Sequence, residues 1–183
     1  MAAAVAAIFF ASIVAPAPAQ AWTVDQARST LTFTGTYQGE KFEGRFKRFD
    51  ARTVYYDPAN LADAKFDVSI DIASVDTANA ERDQALPGAD FFDTAKFPQA
   101  HFVTTSFRKD ARGEVLADGM LSLRGVSKPV TLRVTYAPGS ETLDVDATLK
   151  RLNFGIGGGD WADTSLIGNA VTVHGHLVLT SAK

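Results

Sequence analysis

Apolar and polar residues alternate along most of the chain with a period of two, the pattern of strands that bury one face and wet the other. Leu31, Phe33, Gly35 and Tyr37 alternate with Thr30, Thr32, Thr34 and Thr36, and Phe42, Gly44 and Phe46 with Lys41, Glu43, Arg45 and Lys47. An irregular stretch through Val54-Tyr55-Tyr56 ends in a turn at Asp57-Pro58, after which Ala64, Phe66, Val68, Ile70 and Ile72 share a face. Val115, Ala117, Gly119, Leu121, Leu123 and Gly125 line one side of a long strand, and Ser127-Lys128-Pro129 reads as the turn into Val130, Leu132, Val134 and Tyr136. Leu143, Val145, Ala147 and Leu149 form another apolar face, as do Val171, Val173, Gly175, Leu177 and Leu179. About eight strands with tight connections predict an all-β antiparallel fold closed into a barrel, or a sandwich, rather than an α/β fold.

Two segments break the alternation. Thr77 to Leu86 is the one helix candidate, with Asn79 as its cap and Leu86-Pro87-Gly88 as its stop. Asp90 to Phe102 follows neither period and reads as an ordered loop carrying Phe91, Phe92, Phe97 and Phe102. Rings of ~150 Å² or more each must be buried against something. The loop is therefore expected to cover one mouth of the barrel, with Phe97, held extended by Pro98, over a ligand.

An eight-stranded barrel is just wide enough to be filled by side chains or to hold one small ligand. Gly35, Gly44, Ala117, Gly119, Ala147 and Gly175 recur on the apolar faces, and we read them as room for a ligand. The competing reading is relief of crowding where strands bend. Phe33, Phe42, Phe46, Phe66 and Phe102 would give an apolar lining, suited to a long apolar molecule whose polar head stays at the mouth.

Ala2 to Ala15 is almost wholly apolar and leads through Pro16-Ala17-Pro18 to the small-x-small site Ala19-Gln20-Ala21. Residues 1–21 thus read as a signal peptide, although no Lys or Arg follows Met1, and residues 22–183 as one exported domain with no membrane span of its own. The expected address is a bacterial periplasm or the medium. Lys and Arg number 18 against 21 Asp and Glu, spread without blocks, which argues against nucleic acid or an anionic membrane surface as main partner. With no cysteine, stability must come from the core and a closed sheet.

Candidate chemistry is sparse. His174 and His176 share a strand face and would bind a metal with His101 as third ligand, but their alternation with Val173, Gly175 and Leu177 puts them on the outer face, so no metal site is expected. There is no cysteine and no G-x-S-x-G elbow for acyl transfer. Asp90 and Asp93 read as acids that solvate the loop, and Arg82 and Asp83 as an ion pair between helix and loop. No catalytic residue and no cofactor are assigned. Arg82 and Arg151 are the head-group candidates if that group is anionic, because a guanidinium binds phosphate oxygens in a fork.

Three stretches carry a resemblance. Asn79-Ala80-Glu81-Arg82-Asp83 with Phe91-Phe92-Asp93 and Phe97-Pro98-Gln99-Ala100-His101-Phe102 is the first, Gly119 to Val130 the second, and Arg151-Leu152-Asn153-Phe154-Gly155-Ile156 the third. Together, and in this order, they resemble the YceI-like family of lipid-binding proteins. The resemblance implies an extended lipocalin-like barrel, usually exported, that holds a polyisoprenoid such as a prenyl quinone or prenyl phosphate, or a similar long-chain amphiphile, without catalysis. Phe154 in the third stretch and Trp161 in the loop Gly157-Gly158-Gly159-Asp160-Trp161 complete the expected ligand-binding set. The expectation is an exported carrier or store for such a lipid. An enzyme acting on the lipid and a ligand-free interaction barrel stand as alternatives, and pairing into a homodimer is left open. The mature chain is predicted to begin at Trp22. N-terminal mass analysis of protein recovered from the periplasm checks this, and an intact Met1 would refute it.

Overall fold

Strand pairing takes up nearly every alternating segment. The computed structural model describes residues 21–181, and the predicted signal peptide up to Gln20 lies outside the described residues. The strands are β1 (Ala21–Val24), β2 (Thr30–Tyr37), β3 (Glu40–Phe46), β4 (Phe49–Tyr55), β5 (Lys65–Asp71), β6 (Val75–Asp76), β7 (Gln99–Lys109), β8 (Val115–Leu123), β9 (Val126–Ala137), β10 (Thr142–Lys150) and β11 (Ala170–Ser181). They form one antiparallel sheet in the order β1-β4-β5-β7-β8-β9-β10-β11-β2-β3-β6, and a further pairing of β1 with β11 closes eight of them into a ring. The fold is the expected all-β barrel, with three strands added.

The additions follow from how β11 is shared. Its C-terminal end pairs with β1, Trp22 opposite Ser181, while the stretch Thr172–His176 pairs with β2. The same edge is thus covered end to end by two strands. At the handover Asp25 donates its N–H to the Val178 carbonyl (2.9 Å) and Val178 donates to Ser29 Oγ (2.9 Å), so no ladder group is orphaned. At the other end β3 pairs with β6, Phe46 opposite Val75, and β6 follows β5 directly through the 3₁₀ turn Ile72–Ser74. That path carries the wall round on the mouth side.

Several departures from simple alternation have local causes. The register of β4 against β5 shifts between Ala51 and Thr53, and this bulge brings Val54 and Tyr56 to the inside, both 2% exposed. It explains why that stretch looked irregular. A second bulge, between Thr104 and Ser106 on β7, turns Phe107 inward. The β8–β9 turn lies at Arg124-Gly125, where φ is +51° and +73°, not at Ser127-Lys128-Pro129 as read from the sequence. Pro129 is tolerated inside β9 because β9 pairs with β10 only from Arg133 to Ala137, leaving it an edge there. The helix forms as expected, as α1 (Ala80–Ala85), with the Asn79 side chain accepting the Arg82 N–H at 3.0 Å.

The interior divides into two cores. Away from the mouth, Val54, Tyr56, Phe66, Ala117, Val134, Leu143, Leu177 and Leu179 pack solidly, Ala117 and Leu143 at 0% exposure. The Phe66 and Phe107 rings meet edge to face at 4.9 Å there. Toward the mouth, Phe33, Phe92, Phe102, Leu121, Leu123 and Phe154 form the second core. Three of the inward glycines are seats for rings of neighbouring strands. A Cβ on Gly35 would lie 2.7 Å from the Phe42 ring, one on Gly119 2.5 Å from Phe102, and one on Gly44 would collide with Phe33. In each case a ring from the neighbouring strand reaches over the glycine, so crowding is a sufficient reason for these glycines. Gly44→Ala is accordingly expected to cost about 1–3 kcal/mol by overpacking, lowering Tm by roughly 2–12 °C for a domain of this size. Thermal unfolding checks it, and Gly44→Ala/Phe33→Leu should recover part of the loss.

Candidate functional site

Helix α1, the aromatic loop and the segment after β10 converge on one end of the barrel. Asp83 Oδ1 accepts the Thr77 N–H (2.8 Å) and hydroxyl (2.6 Å), fixing α1 to the strand before it. The aromatic loop winds on itself, with Phe91 and Asp93 donating to the Gly88 carbonyl and Phe92 to that of Leu86. Asp93 takes a left-handed φ of +49°, and its buried carboxylate pairs with Lys96 at 3.1 Å, so it is a structural acid rather than a solvated one. Arg124 at the β8–β9 turn donates to the Ala89 carbonyl at 2.6 Å. Gly157 donates to the Asp90 carbonyl at 2.8 Å, so the loops hold one another through their backbones.

Arg151 organises the segment after β10. It is 5% exposed, and its guanidinium donates to the carbonyls of Gly168 (3.2 Å), Ile156 (2.9 Å), Gly157, Trp161 (2.8 Å) and Ile167 (2.8 Å). A guanidinium has five N–H donors, and all of them are used. Burial pushes its pKa down from the ordinary arginine value. Among the described residues no carboxylate pairs with it, so it contributes positive potential but has no donor left to grip a ligand.

Within these elements lies a cavity of about 410 Å³. Seven of the ten candidate ligand-binding rings line it: Phe33, Phe42, Phe46, Phe91, Phe92, Phe154 and Trp161. Phe33, Phe46 and Phe92 form a chain of ring contacts at 5.4 and 6.2 Å, and Phe91 packs on Trp161 at 5.6 Å. The other three stand elsewhere, against expectation. Phe66 belongs to the solid core, Phe102 is buried over Gly119, and Phe97 packs over Gly125. Phe97 faces the hairpin tip because Gly125, at positive φ, leaves a seat no side chain would allow.

Arg82 also lines the cavity, but not in the predicted ion pair with Asp83. Its guanidinium lies 4.2 Å from the centre of the Phe42 ring, while Nε donates to Thr77 Oγ1 (2.8 Å) and Nη2 to the Thr77 carbonyl (3.3 Å). Nη1 makes no hydrogen bond to any described residue, so Arg82 alone of the two arginines keeps donors for a polar head. The sequence reading missed Leu123, Leu149, Val171 and Val173 as lining residues. Their inward direction was legible, but not which end of the barrel each occupies.

The histidines are on the outer face. His174 Nδ1 meets Asp146 at 2.8 Å and His176 Nδ1 meets Asp144 at 2.6 Å, each across the β10–β11 ladder. His101 is on β7, four strands away round the ring, bonded to Asp67 at 2.7 Å. Among the described residues no group of three or more potential ligands is placed to hold a metal ion, nor is any helix long and apolar enough to cross a membrane.

Known proteins share this sequence pattern and this fold. The family model for the YceI-like domain matches residues 22–179. A UPF0312 protein of Shewanella denitrificans is 43% identical over 108 residues, 58% of this chain and 56% of that protein. Protein YceI of Escherichia coli O157:H7 is 52% identical over 89 residues, 49% of this chain and 46% of that one. The matched segments thus span about half the length of these relatives. Among solved structures, BcnA of Burkholderia cenocepacia superposes with a TM-score of 0.79 at 32% identity, covering 87% of this chain and all of that one. A polyisoprenoid-binding domain from Saccharophagus degradans, implicated in plant cell wall breakdown, shares the fold at a TM-score of 0.65 and 18% identity, covering 89% of this chain and 99% of that domain. With residues 22–179 of its 183 matched by the family model, the chain belongs to the YceI-like domain family.

Proposed function

We propose that this protein is an exported, periplasmic carrier or store that holds a polyisoprenoid, such as a prenyl quinone or prenyl phosphate, or a similar long-chain amphiphile, inside the barrel. The observation that carries this reading is the ring-lined cavity with Arg82 in its wall. Seven aromatic side chains and Leu123, Leu149, Val171 and Val173 present an apolar wall that a branched hydrocarbon tail fills at low cost. The polyisoprenoid-binding domain of like fold supports the ligand class, and the expected cleavage after Ala21 supports the location. The reading is of binding and not of catalysis. The charged side chains at the cavity are Glu81, Arg82 and Arg151, and the Arg151 donors are committed to backbone carbonyls.

Native mass spectrometry of protein purified without detergent tests the reading, which predicts a bound lipid mass. An empty barrel from cells that make such lipids would overturn it. Two substitutions should separate cavity from scaffold. Phe91→Asp puts a carboxylate where the tail lies, at a cost of several kcal/mol, and should lose co-purified lipid with little change in Tm. Phe97→Asp loosens the seat over Gly125 and should lower Tm, while the protein that remains folded keeps its lipid. Arg82→Gln removes the free donors and should weaken a prenyl phosphate by roughly tenfold, the worth of one charge-assisted hydrogen bond. The corresponding neutral prenol should change less. Titration of both ligands checks the difference.

A further inference from the structure

The bond between Ala21 and Trp22, where the leader is expected to be cut, lies inside a strand. β1 begins at Ala21, and it closes the ring by pairing with β4 on one edge and β11 on the other. Trp22 stands opposite both Val54 and Ser181, Ala21 opposite Tyr55, Thr23 opposite Thr180 and Val24 opposite Leu179. Side chains fasten the strand as well. The Trp22 indole donates to the Tyr56 carbonyl at 3.0 Å and packs on the Tyr136 ring at 6.3 Å, and Val24 is buried in the solid core. Thr180 donates its hydroxyl to the Thr23 carbonyl at 3.1 Å.

A protease takes the residues around the bond it cuts as an extended strand, through their main-chain N–H and C=O groups. In the closed ring β11 and β4 already occupy both edges at Trp22. An enzyme then reaches the bond only in the fraction of molecules whose β1 has opened, and the rate of cutting falls with that fraction. The order of the chain keeps the site open until late. The β11 partner of Trp22 is Ser181, the last described residue, so the seat of β1 is incomplete until the C-terminal strand has arrived.

Resting on the reading of residues 1–21 as a signal peptide, we propose that closure of the ring by β1 sequesters the processing site, so that this protein is processed before its barrel closes. In the cut, water adds across the Ala21–Trp22 amide, leaving the Ala21 carboxylate on the leader and the Trp22 amine on the barrel. Trp22 then starts β1. The strand keeps its pairs with Val54, Ser181, Thr180 and Leu179 and loses only that of Ala21 with Tyr55. Processing removes the leader without removing the strand that completes the wall.

The test offers the full precursor, Met1 to Lys183, to a bacterial signal peptidase in detergent micelles and reads the new N-terminus by mass. Each rate is normalised to a short peptide carrying the same site in the same buffer. Folded precursor is expected to be cut at least about tenfold more slowly than precursor held unfolded in urea. Val24→Asp, which places a carboxylate in the solid core and unseats β1, should restore most of the rate while the other strands remain paired. Thr23→Cys/Thr180→Cys is the opposite perturbation. The two positions face each other across the ladder within reach of a disulfide, and the chain has no other cysteine. Oxidised, this folded precursor should be cut at least about tenfold more slowly than reduced, and the pair supplies the test if Val24→Asp does not fold. Equal rates for folded and unfolded precursor overturn the inference and leave the signal-peptide reading standing. So do equal rates for the oxidised and reduced pair, or a folded Val24→Asp precursor that stays resistant. A precursor that keeps Met1 even when unfolded overturns both.

Discussion

A closed ring of eight strands encloses a space that its own side chains nearly fill, and in this molecule that limit decides everything else. Where the inward residues are Phe66, Phe107, Tyr56, Leu143 and Leu177 the ring is solid. The ring-lined cavity lies at the end where β2, β3 and β6 extend the wall and where loops rather than strands close the top. The added strands are thus what separates a chamber from a second core. The eight-strand ring sets the girth, and the extra wall of β2, β3 and β6 is paired onto it through β11.

The rings over glycine show the same limit acting within the wall. A phenylalanine on a strand of a narrow barrel has two destinations, the middle of the barrel or the space over a glycine on the neighbouring strand. Phe33, Phe42 and Phe102 take the second. Seated against those glycines, they stay close to the wall. The glycines that looked like vacancies are the seats of these rings, and the vacancy lies beside them.

Much of the wall was legible in the sequence, and the reasons for the misses are specific. Period-two alternation assigned the inward faces of β2, β3, β8, β10 and β11 correctly because each is regular over most of its length. It faltered at β4 and before Phe107 on β7, where a bulge changes which residues face inward and leaves only irregularity as its trace. Asn79 was readable as a cap because the capping hydrogen bond is local. The partners of Arg82 and Arg151 were not, since a guanidinium meets whatever the fold brings to it. Phe97 is the clearest case. Its place depends on the β8–β9 turn at Gly125, 28 residues on, which no pattern within the aromatic loop announces. The misplaced turn and the misplaced ring are one error.

Arg151 holds the segment after β10 by its carbonyl oxygens alone. Every amino acid has a carbonyl, so this anchor is indifferent to the side chains it organises. Most of the residues between Gly158 and Leu166 can therefore be exchanged without loosening the frame, so long as the path of the chain is kept. The barrel has in effect a replaceable rim. Over evolutionary time or in the laboratory, the surface that first meets a cargo is free to change while the vessel behind it stays the same.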